Sequence, residues 1–175
     1  SICLGFIFCI KEISFIIIFI LGSFSLIFSS FNPFIKHKLN LNYQFTNIFA
    51  LLFLLSFPLS MPISSYVFNF FGINLVAPSG SLNKIGMPIS NVAIITSFII
   101  SIMSLLTSFV LGFLKFKKDW FLFFCTFWFI FIFFHSTFFT NPAGIITGFW
   151  QSLGYWISQQ DVARGGQPWY YYFLL

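Results

Sequence analysis

Long apolar runs recur along almost the whole chain, and they constrain its fold more than any other feature. A helix needs about 20 apolar residues to cross the hydrocarbon core of a bilayer. Of the 175 residues, 59% are hydrophobic and only 6% are charged, and the mean hydropathy is +0.98. This composition lies outside the range of soluble globular proteins. The sequence therefore predicts an all-α polytopic integral membrane protein that lies in a lipid bilayer.

The apolar runs predict about four full and two partial transmembrane helices within one transmembrane domain. The full spans are predicted at 13–29, 46–71, 89–113 and 120–139, and the partial spans at 1–10 and 169–175. The partial spans lie at the two ends of the chain, and no Met begins it. We therefore expect the sequence to be a fragment that is truncated at both ends.

Several residues are expected to end or bend these helices. Pro58 and Pro62 lie inside the second full span, where they should kink the helix or end it in an irregular segment. Asp119 is a candidate N-cap for the fourth full span, and Asn141-Pro142 is expected to break that helix. Ser and Thr residues within the spans can bond to backbone carbonyls or allow close helix packing. They are therefore not evidence for a nucleophile.

The charged residues predict the orientation in the membrane. Lys and Arg favour the cytoplasmic side, and five of the eight cations lie in the loops 30–46 and 115–119. The segments around 11–12, 72–88 and 140–168 are then expected on the extracytoplasmic face of a multi-pass cell-membrane protein. Because the cations are scattered between apolar spans, the net charge of +5 does not indicate a nucleic-acid partner.

Few side chains within the apolar runs can carry chemistry. Lys11 and Glu12 interrupt one run, either as a tight turn exposed to lipid headgroups or as the lining of a polar cavity, and both interpretations stay open. His135 is expected to be a hydrogen-bonding residue at a helix end rather than a ligand or a base. No metal site is predicted, because the cysteines lack ligand spacing and are expected to be small buried hydrophobes. The cysteines are Cys3, Cys9 and Cys125.

The segment 143–168 combines a helical apolar pattern with polar residues at its end. Its apolar positions are Phe149, Leu153, Trp156 and Ile157. This spacing predicts a short amphipathic helix on the membrane surface, ended by Gly165-Gly166, with Pro168 in the first turn of the next helix. A second interpretation is that Arg164 binds a phosphate, since a guanidinium makes bidentate contacts to phosphate oxygens.

The closing region, TNPAGIITGFWQSLGYWISQQDVARGGQPWYYYFLL, resembles a motif region of a known family. This is the archaeal and Chloroflexi flippase-activity-associated membrane protein family. It is related to dolichyl-phosphate-mannose protein mannosyltransferases within the GT-C glycosyltransferase class. The matching residues are Thr140, Asn141, Gly144, Tyr155, Trp156, Gln159, Gln160 and the run 164–172. KEISFIIIF, near the start of the chain, resembles a Lys-Glu motif of the same family.

The resemblance implies a GT-C-like helical bundle. Such an enzyme transfers a sugar from a polyprenyl-phosphate-linked donor to a glycan or protein acceptor on the extracytoplasmic face. One alternative is a flippase-associated accessory or transport component of a surface-glycan pathway, without catalysis of its own. Another is a structural membrane subunit in which the motif only anchors a helix.

The resemblance also implies a set of substrate-binding residues. Lys11 and Arg164 are candidates to contact the phosphate, and Glu12 to line the same site. The expected sugar-binding or stacking residues are Gln159, Gln160, Gln167 and Trp169. The catalytic base stays unassigned, because GT-C enzymes usually carry their acidic residues in an earlier extracytoplasmic loop. A divalent cation is a possible cofactor, with ligands outside this sequence.

Overall fold

The computed structural model describes residues 2–10, 14–31, 41–81 and 85–160. These residues form helices joined by turns and loops, without a β-strand among them, which confirms the all-α prediction. The α-helices are α1 (Ile2–Ile10), α2 (Ser14–Phe31), α3 (Leu41–Ser56), α4 (Ser65–Phe70), α5 (Asn91–Phe116), α6 (Lys118–His135), α7 (Ala143–Ile146) and α8 (Ser152–Ser158). A 3-10 helix (Phe57–Ser64) joins α3 to α4, and a π-helix (Thr147–Gln151) joins α7 to α8.

Three of these helical stretches are long and apolar enough to cross a membrane. They are Asn47–Phe70, Asn91–Phe116 and Lys118–His135. Within α2, Ser14–Phe24 is a shorter apolar stretch. The protein therefore has the character of a membrane protein, as the composition predicted. The total of four full and two partial spans stays a prediction, and 169–175 lies outside the described residues.

The stretch that crosses from α3 to α4 changes its helical form at its prolines, as predicted. Residues 57–64 form a 3-10 helix that contains Pro58 and Pro62. Proline lacks an N–H and crowds the preceding turn, so it disfavours a continuous α-helix. Both rings are fully buried, together with Leu59. This irregular segment packs against α5 and α8 and so connects the bundle to the 143–158 segment.

An aromatic core holds the helices together, while the outer surface is equally apolar. The largest buried cluster comprises Leu4, Ile18, Leu54, Leu55, Leu59, Trp120, Phe127, Trp128 and Phe131. On the outside, Phe98, Leu122 and Phe129 are each at least 60% exposed. Exposed apolar surface of this extent is expected where helices contact lipid.

Small residues form the buried face of α5. They are Ala93, Ser97, Ser104, Ser108 and Gly112. The Ser108 hydroxyl donates to the Leu54 carbonyl of α3 at 2.6 Å, and the Ser104 hydroxyl donates to the Ser101 carbonyl within α5. These contacts confirm that serines in the spans bond to backbone carbonyls and let helices approach closely.

The first turns of α5 and α6 are capped differently. Ser90 is the N-cap of α5, and its hydroxyl accepts a hydrogen bond from the Ala93 N–H at 3.1 Å. The prediction that Asp119 caps α6 was wrong, because α6 begins at Lys118, two residues before the predicted start at 120. The capping position belongs to Lys117, whose φ of +54° reverses the chain between α5 and α6. Asp119 instead lies in the first turn, where a carboxylate interacts favourably with the helix dipole.

The end of α6 also differs from its prediction. The helix ends at His135 rather than Phe139, because Thr137, Phe138 and Phe139 have φ values of +51°, +58° and +65°. A right-handed helix cannot continue through this left-handed conformation. The break therefore precedes Asn141-Pro142, and Pro142 is instead the N-cap of α7.

The prediction of buried cysteines was wrong for two of the three. Cys3 and Cys125 are exposed on the apolar surface, where a small thiol costs little in contact with lipid. Cys9 is half-buried between α1 and α6. All three thiols are free.

Candidate functional site

The 143–158 segment follows the turn at 136–142 and packs back against the end of α6. Gly144 makes this return possible, since a Cβ on it would lie 1.8 Å from the His135 carbonyl oxygen. The turn itself is held by backbone bonds, among them Phe138 N–H to Phe133 O at 2.8 Å and Asn141 N–H to Ser136 O at 2.7 Å. The start of the segment is therefore fixed against the imidazole-bearing end of α6.

The face of the 143–158 segment that packs against the rest of the bundle consists mainly of small residues. Its buried residues are Gly148, Trp150, Gly154 and Ser158. Trp156, one of the apolar positions predicted for a helix on the membrane surface, is 48% exposed. The π-helix adds a residue to one turn and rotates the residues that follow it, and the glycines allow close backbone contact. The α-helix also ends at Ser158, well before the predicted stop at Gly165-Gly166, which lies outside the described residues.

The segment is fastened to the 72–90 loop by side chains that donate to backbone carbonyls. The indole N–H of Trp150 donates to Leu75 O at 3.2 Å, and the Gln151 amide donates to Ile85 O at 3.0 Å. Gly154 lies directly against the backbone of Gly86, so a Cβ there would lie 2.1 Å from the Gly86 carbonyl oxygen. The loops predicted to share one face of the membrane thus lie at the same end of the bundle.

His135 is the titratable residue at the centre of this end. Its Nδ1 lies 3.0 Å from the Phe131 carbonyl oxygen, and its ring stacks on the Phe131 ring at 4.0 Å between centroids. Gly148 packs against the ring, since a Cβ there would lie 1.9 Å from the His135 Cδ2. The Cys9 sulfur approaches Nδ1 at 3.8 Å from α1. The imidazole is therefore held in one orientation by three elements.

A polar cavity of about 300 Å³ opens beside the imidazole, and we call it the polar pocket. It is lined by His135, Thr147, Gly148, Gln151, Ser152 and Tyr155. The hydroxyls of Thr147 and Ser152 donate to carbonyls of their own helix, each at 3.0 Å. Their oxygens are then left to accept hydrogen bonds from a ligand, as those of a binding site for hydroxyl groups would be.

A larger cavity of about 550 Å³, which we call the apolar groove, runs between α5 and the 143–158 segment. Ile94, Phe98 and Ile102 line it from α5 and are 41–65% exposed, so the groove opens toward the surface that contacts lipid. Thr147 and Gln151 line both this groove and the polar pocket. The apolar groove and the polar pocket therefore share part of one wall.

Two of the predicted site residues lie within the described part of the chain. Gln159 follows Tyr155 by one helical turn, and its N–H donates to the Tyr155 carbonyl at 3.0 Å. The Gln160 side chain accepts a hydrogen bond from the Tyr66 hydroxyl of α4 at 2.5 Å. Both glutamines therefore lie close in sequence to the polar pocket, although neither lines it.

The remaining predicted site residues are Lys11, Glu12, Arg164, Gln167 and Trp169, which lie outside the described residues. The chain on either side of 11–12 is described. Cys9 contacts His135, and the Ser14 hydroxyl donates to the Ile7 carbonyl at 2.8 Å. The residues that flank this pair thus lie near the His135 end of the bundle.

The sequence predictions missed most residues of the polar pocket. Thr147, Gln151 and Tyr155 recur every four residues, so this polar stripe was readable as one helix face. The contacts of His135 could not be predicted in this way, because Cys9 lies far from it in the sequence and Gly148 follows it only after a chain reversal. No group of three or more His, Cys, Asp or Glu side chains that could hold a metal ion occurs among the described residues. The predicted divalent cation stays a prediction.

Comparison with known proteins gives no relative for this chain: no protein-family model, no curated protein and no solved structure matches it.

Proposed function

We propose that this chain is part of a GT-C-type membrane glycosyltransferase, which transfers a sugar from a polyprenyl-phosphate-linked donor on the extracytoplasmic face. The observation that carries the proposal is that the apolar groove and the polar pocket lie side by side and share the lining residues Thr147 and Gln151. A lipid-linked sugar has the same two halves, a long hydrocarbon chain and a hydroxyl-rich head. The resemblance of the closing motif to the flippase-activity-associated family supports the same substrate class.

The apolar groove suits the isoprenoid chain of such a donor. Its walls are largely aliphatic and aromatic, and it opens to the side of the bundle where lipid would lie. A polyprenyl chain could therefore enter from the bilayer without leaving an apolar environment. Burying this chain would supply binding free energy at about 25 cal/mol per Å² of apolar surface.

The polar pocket suits the sugar. Its lining offers hydroxyl, amide and imidazole groups, which hydrogen-bond sugar hydroxyls. In this proposal Gln159, Gln160 and Gln167 extend the sugar site and Trp169 stacks on the sugar or the lipid. Lys11 and Arg164, with Glu12 beside them, meet the phosphate, where cations would stabilise the leaving group.

The proposal is tested with the full-length protein in lipid nanodiscs and radiolabelled polyprenyl-phosphate mannose. We expect sugar transfer to a glycan or peptide acceptor. Ser101→Trp, which fills the apolar groove, should lower donor binding and transfer at least about tenfold, since a blocked pocket loses its hydrocarbon contacts. Leu106→Trp is the matched control, because Leu106 is 55% exposed on the same helix outside the groove.

The outcomes separate the candidate functions. Equal transfer by Ser101→Trp and Leu106→Trp would show that the groove does not hold the donor. Movement of a fluorescent polyprenyl phosphate across the bilayer, without sugar transfer, would instead support the flippase-associated role. If the protein neither binds the donor nor moves it across the bilayer, the result would support the structural role, in which the motif only anchors a helix.

A further inference from the structure

The turn between α5 and α6 holds every lysine that the structure describes. They are Lys115, Lys117 and Lys118, three of four consecutive residues. Lys117 is the single residue between α5 and α6, and each of these helices is long and apolar enough to cross a membrane. In a bilayer that both helices cross, the lysines therefore lie at the depth of the lipid headgroups.

The positive charge of this turn is not neutralised within the described part of the chain. The three lysines are exposed, and so is Asp119 beside them. Among the described residues, Asp119 forms no ion pair with any of these lysines. Three ammonium groups against one carboxylate leave a net charge of +2. The Lys115 Nζ lies 6.0 Å from the centre of the Phe116 ring, a contact that favours a position of this ammonium beside the turn.

Exposed apolar side chains border the lysines on both helices. They are Phe113 and Leu114 on α5 and Phe121 and Leu122 on α6. All four lie within about one helical turn of a lysine, on the side from which the helices enter the hydrocarbon core. A phospholipid matches both parts of this surface, since it joins an anionic headgroup to acyl chains. A free phosphate would contact the charged part alone.

We propose that the α5–α6 turn is a binding site for an anionic phospholipid of the leaflet that it meets. The lysine ammonium groups contact the headgroup phosphate, and the bordering apolar side chains contact the acyl chains. Each lysine near the surface strengthens binding to anionic lipid about fivefold. The bound lipid holds this end of α6 at the headgroup level, about 27 Å from the end that carries His135. The inference does not depend on sugar transfer.

The test counts the lipids bound to the full-length protein in neutral detergent by native mass spectrometry. Phosphatidylglycerol is titrated beside phosphatidylcholine with the same acyl chains. We expect the wild type to bind phosphatidylglycerol at least about tenfold more tightly, and the difference to shrink as salt is added. Lys115→Gln and Lys118→Gln should each weaken phosphatidylglycerol binding about fivefold and leave phosphatidylcholine binding unchanged. Asp119→Asn, which removes the repelling charge, should strengthen phosphatidylglycerol binding.

Lys115→Arg and Lys118→Arg are the matched controls, because they keep the charge and should keep the wild-type preference. Thermal unfolding checks that every variant is folded. Equal binding of the two lipids by the wild type would overturn the inference. A preference that persists in both Gln variants would place the headgroup elsewhere on the protein. Release of phosphatidylglycerol by millimolar inorganic phosphate would show that the turn binds a free anion rather than a lipid.

Discussion

Two glycines at opposite ends of α6 each lie under an aromatic ring from that helix, and the two rings have different surroundings. At the start of α6, a Cβ on Gly112 would lie 2.0 Å from Cε2 of Trp120, and at its end Gly148 lies equally close to His135. Trp120 is fully buried and stacks on Phe116 at 5.8 Å between centroids. His135 borders a polar cavity. The same close contact thus builds a sealed core at one end and the wall of the polar pocket at the other.

The polar atoms of the two rings show the difference. The Trp120 indole N–H is buried without a hydrogen-bond partner, which costs about 1–3 kcal/mol. The His135 Nδ1 lies 3.0 Å from the Phe131 carbonyl oxygen. Packing dominates at the sealed end, where the indole N–H of Trp120 is buried without a hydrogen-bond partner. At the open end, the His135 ring lines a polar cavity instead.

The largest effect is expected from Gly148→Ala. The added Cβ cannot coexist with the present ring position, so it should displace the imidazole from the pocket edge. A displacement of about 1 Å in the groups that position a substrate can cost about 100-fold in rate, and for the proposed sugar transfer we expect a loss of that order in kcat. Gly80→Ala is the control, because a Cβ at Gly80 meets nothing within 4 Å. Unchanged kcat in Gly148→Ala would contradict the requirement for a glycine under His135.

At the sealed end, Gly112→Ala should affect stability rather than turnover. The Cβ would overlap the Trp120 ring, and overpacking of this kind costs about 1–3 kcal/mol in free energy of unfolding. Denaturation in mild detergent, followed by Trp fluorescence, measures the loss, again beside Gly80→Ala. The kcat of the folded fraction should match wild type. A fall in kcat without a change in stability would show that the two ends are coupled.

The sequence predicted the membrane class, the approximate positions of three long apolar helices and the irregular segment at Pro58 and Pro62. These features follow from local composition and from the missing N–H of proline, so no tertiary contact was needed to infer them. The end of α6 was not predictable in the same way. Thr137 and the two phenylalanines after it are ordinary helix or strand residues, and only the surrounding bonds hold them in left-handed conformations.

The sequence predicted the region of the candidate site but not most of its lining residues. The closing motif, which carries the resemblance, includes Gln159, one helical turn beyond the pocket residue Tyr155. The pocket itself depends on glycines that allow long-range contacts, namely Gly148 with His135 and Gly154 with Gly86. A sequence pattern shows such glycines but not their partners. The sequence pattern also did not indicate the π-helix that begins at Thr147 and changes the helical register.

The smallest effect is expected in the turns that precede and follow α6. The sealed end reverses at Lys117 alone, whereas the open end uses three consecutive residues with positive φ, of which Thr137 is β-branched and exposed. Left-handed backbone costs an L-residue about 1–2 kcal/mol, and Asn tolerates it better. Thr137→Asn should therefore stabilise the protein by about 1 kcal/mol in detergent unfolding, with the kcat for sugar transfer unchanged. A gain in stability accompanied by a lower kcat would mean that strain in this turn contributes to the position of His135, because Thr137 lies only two residues beyond the imidazole.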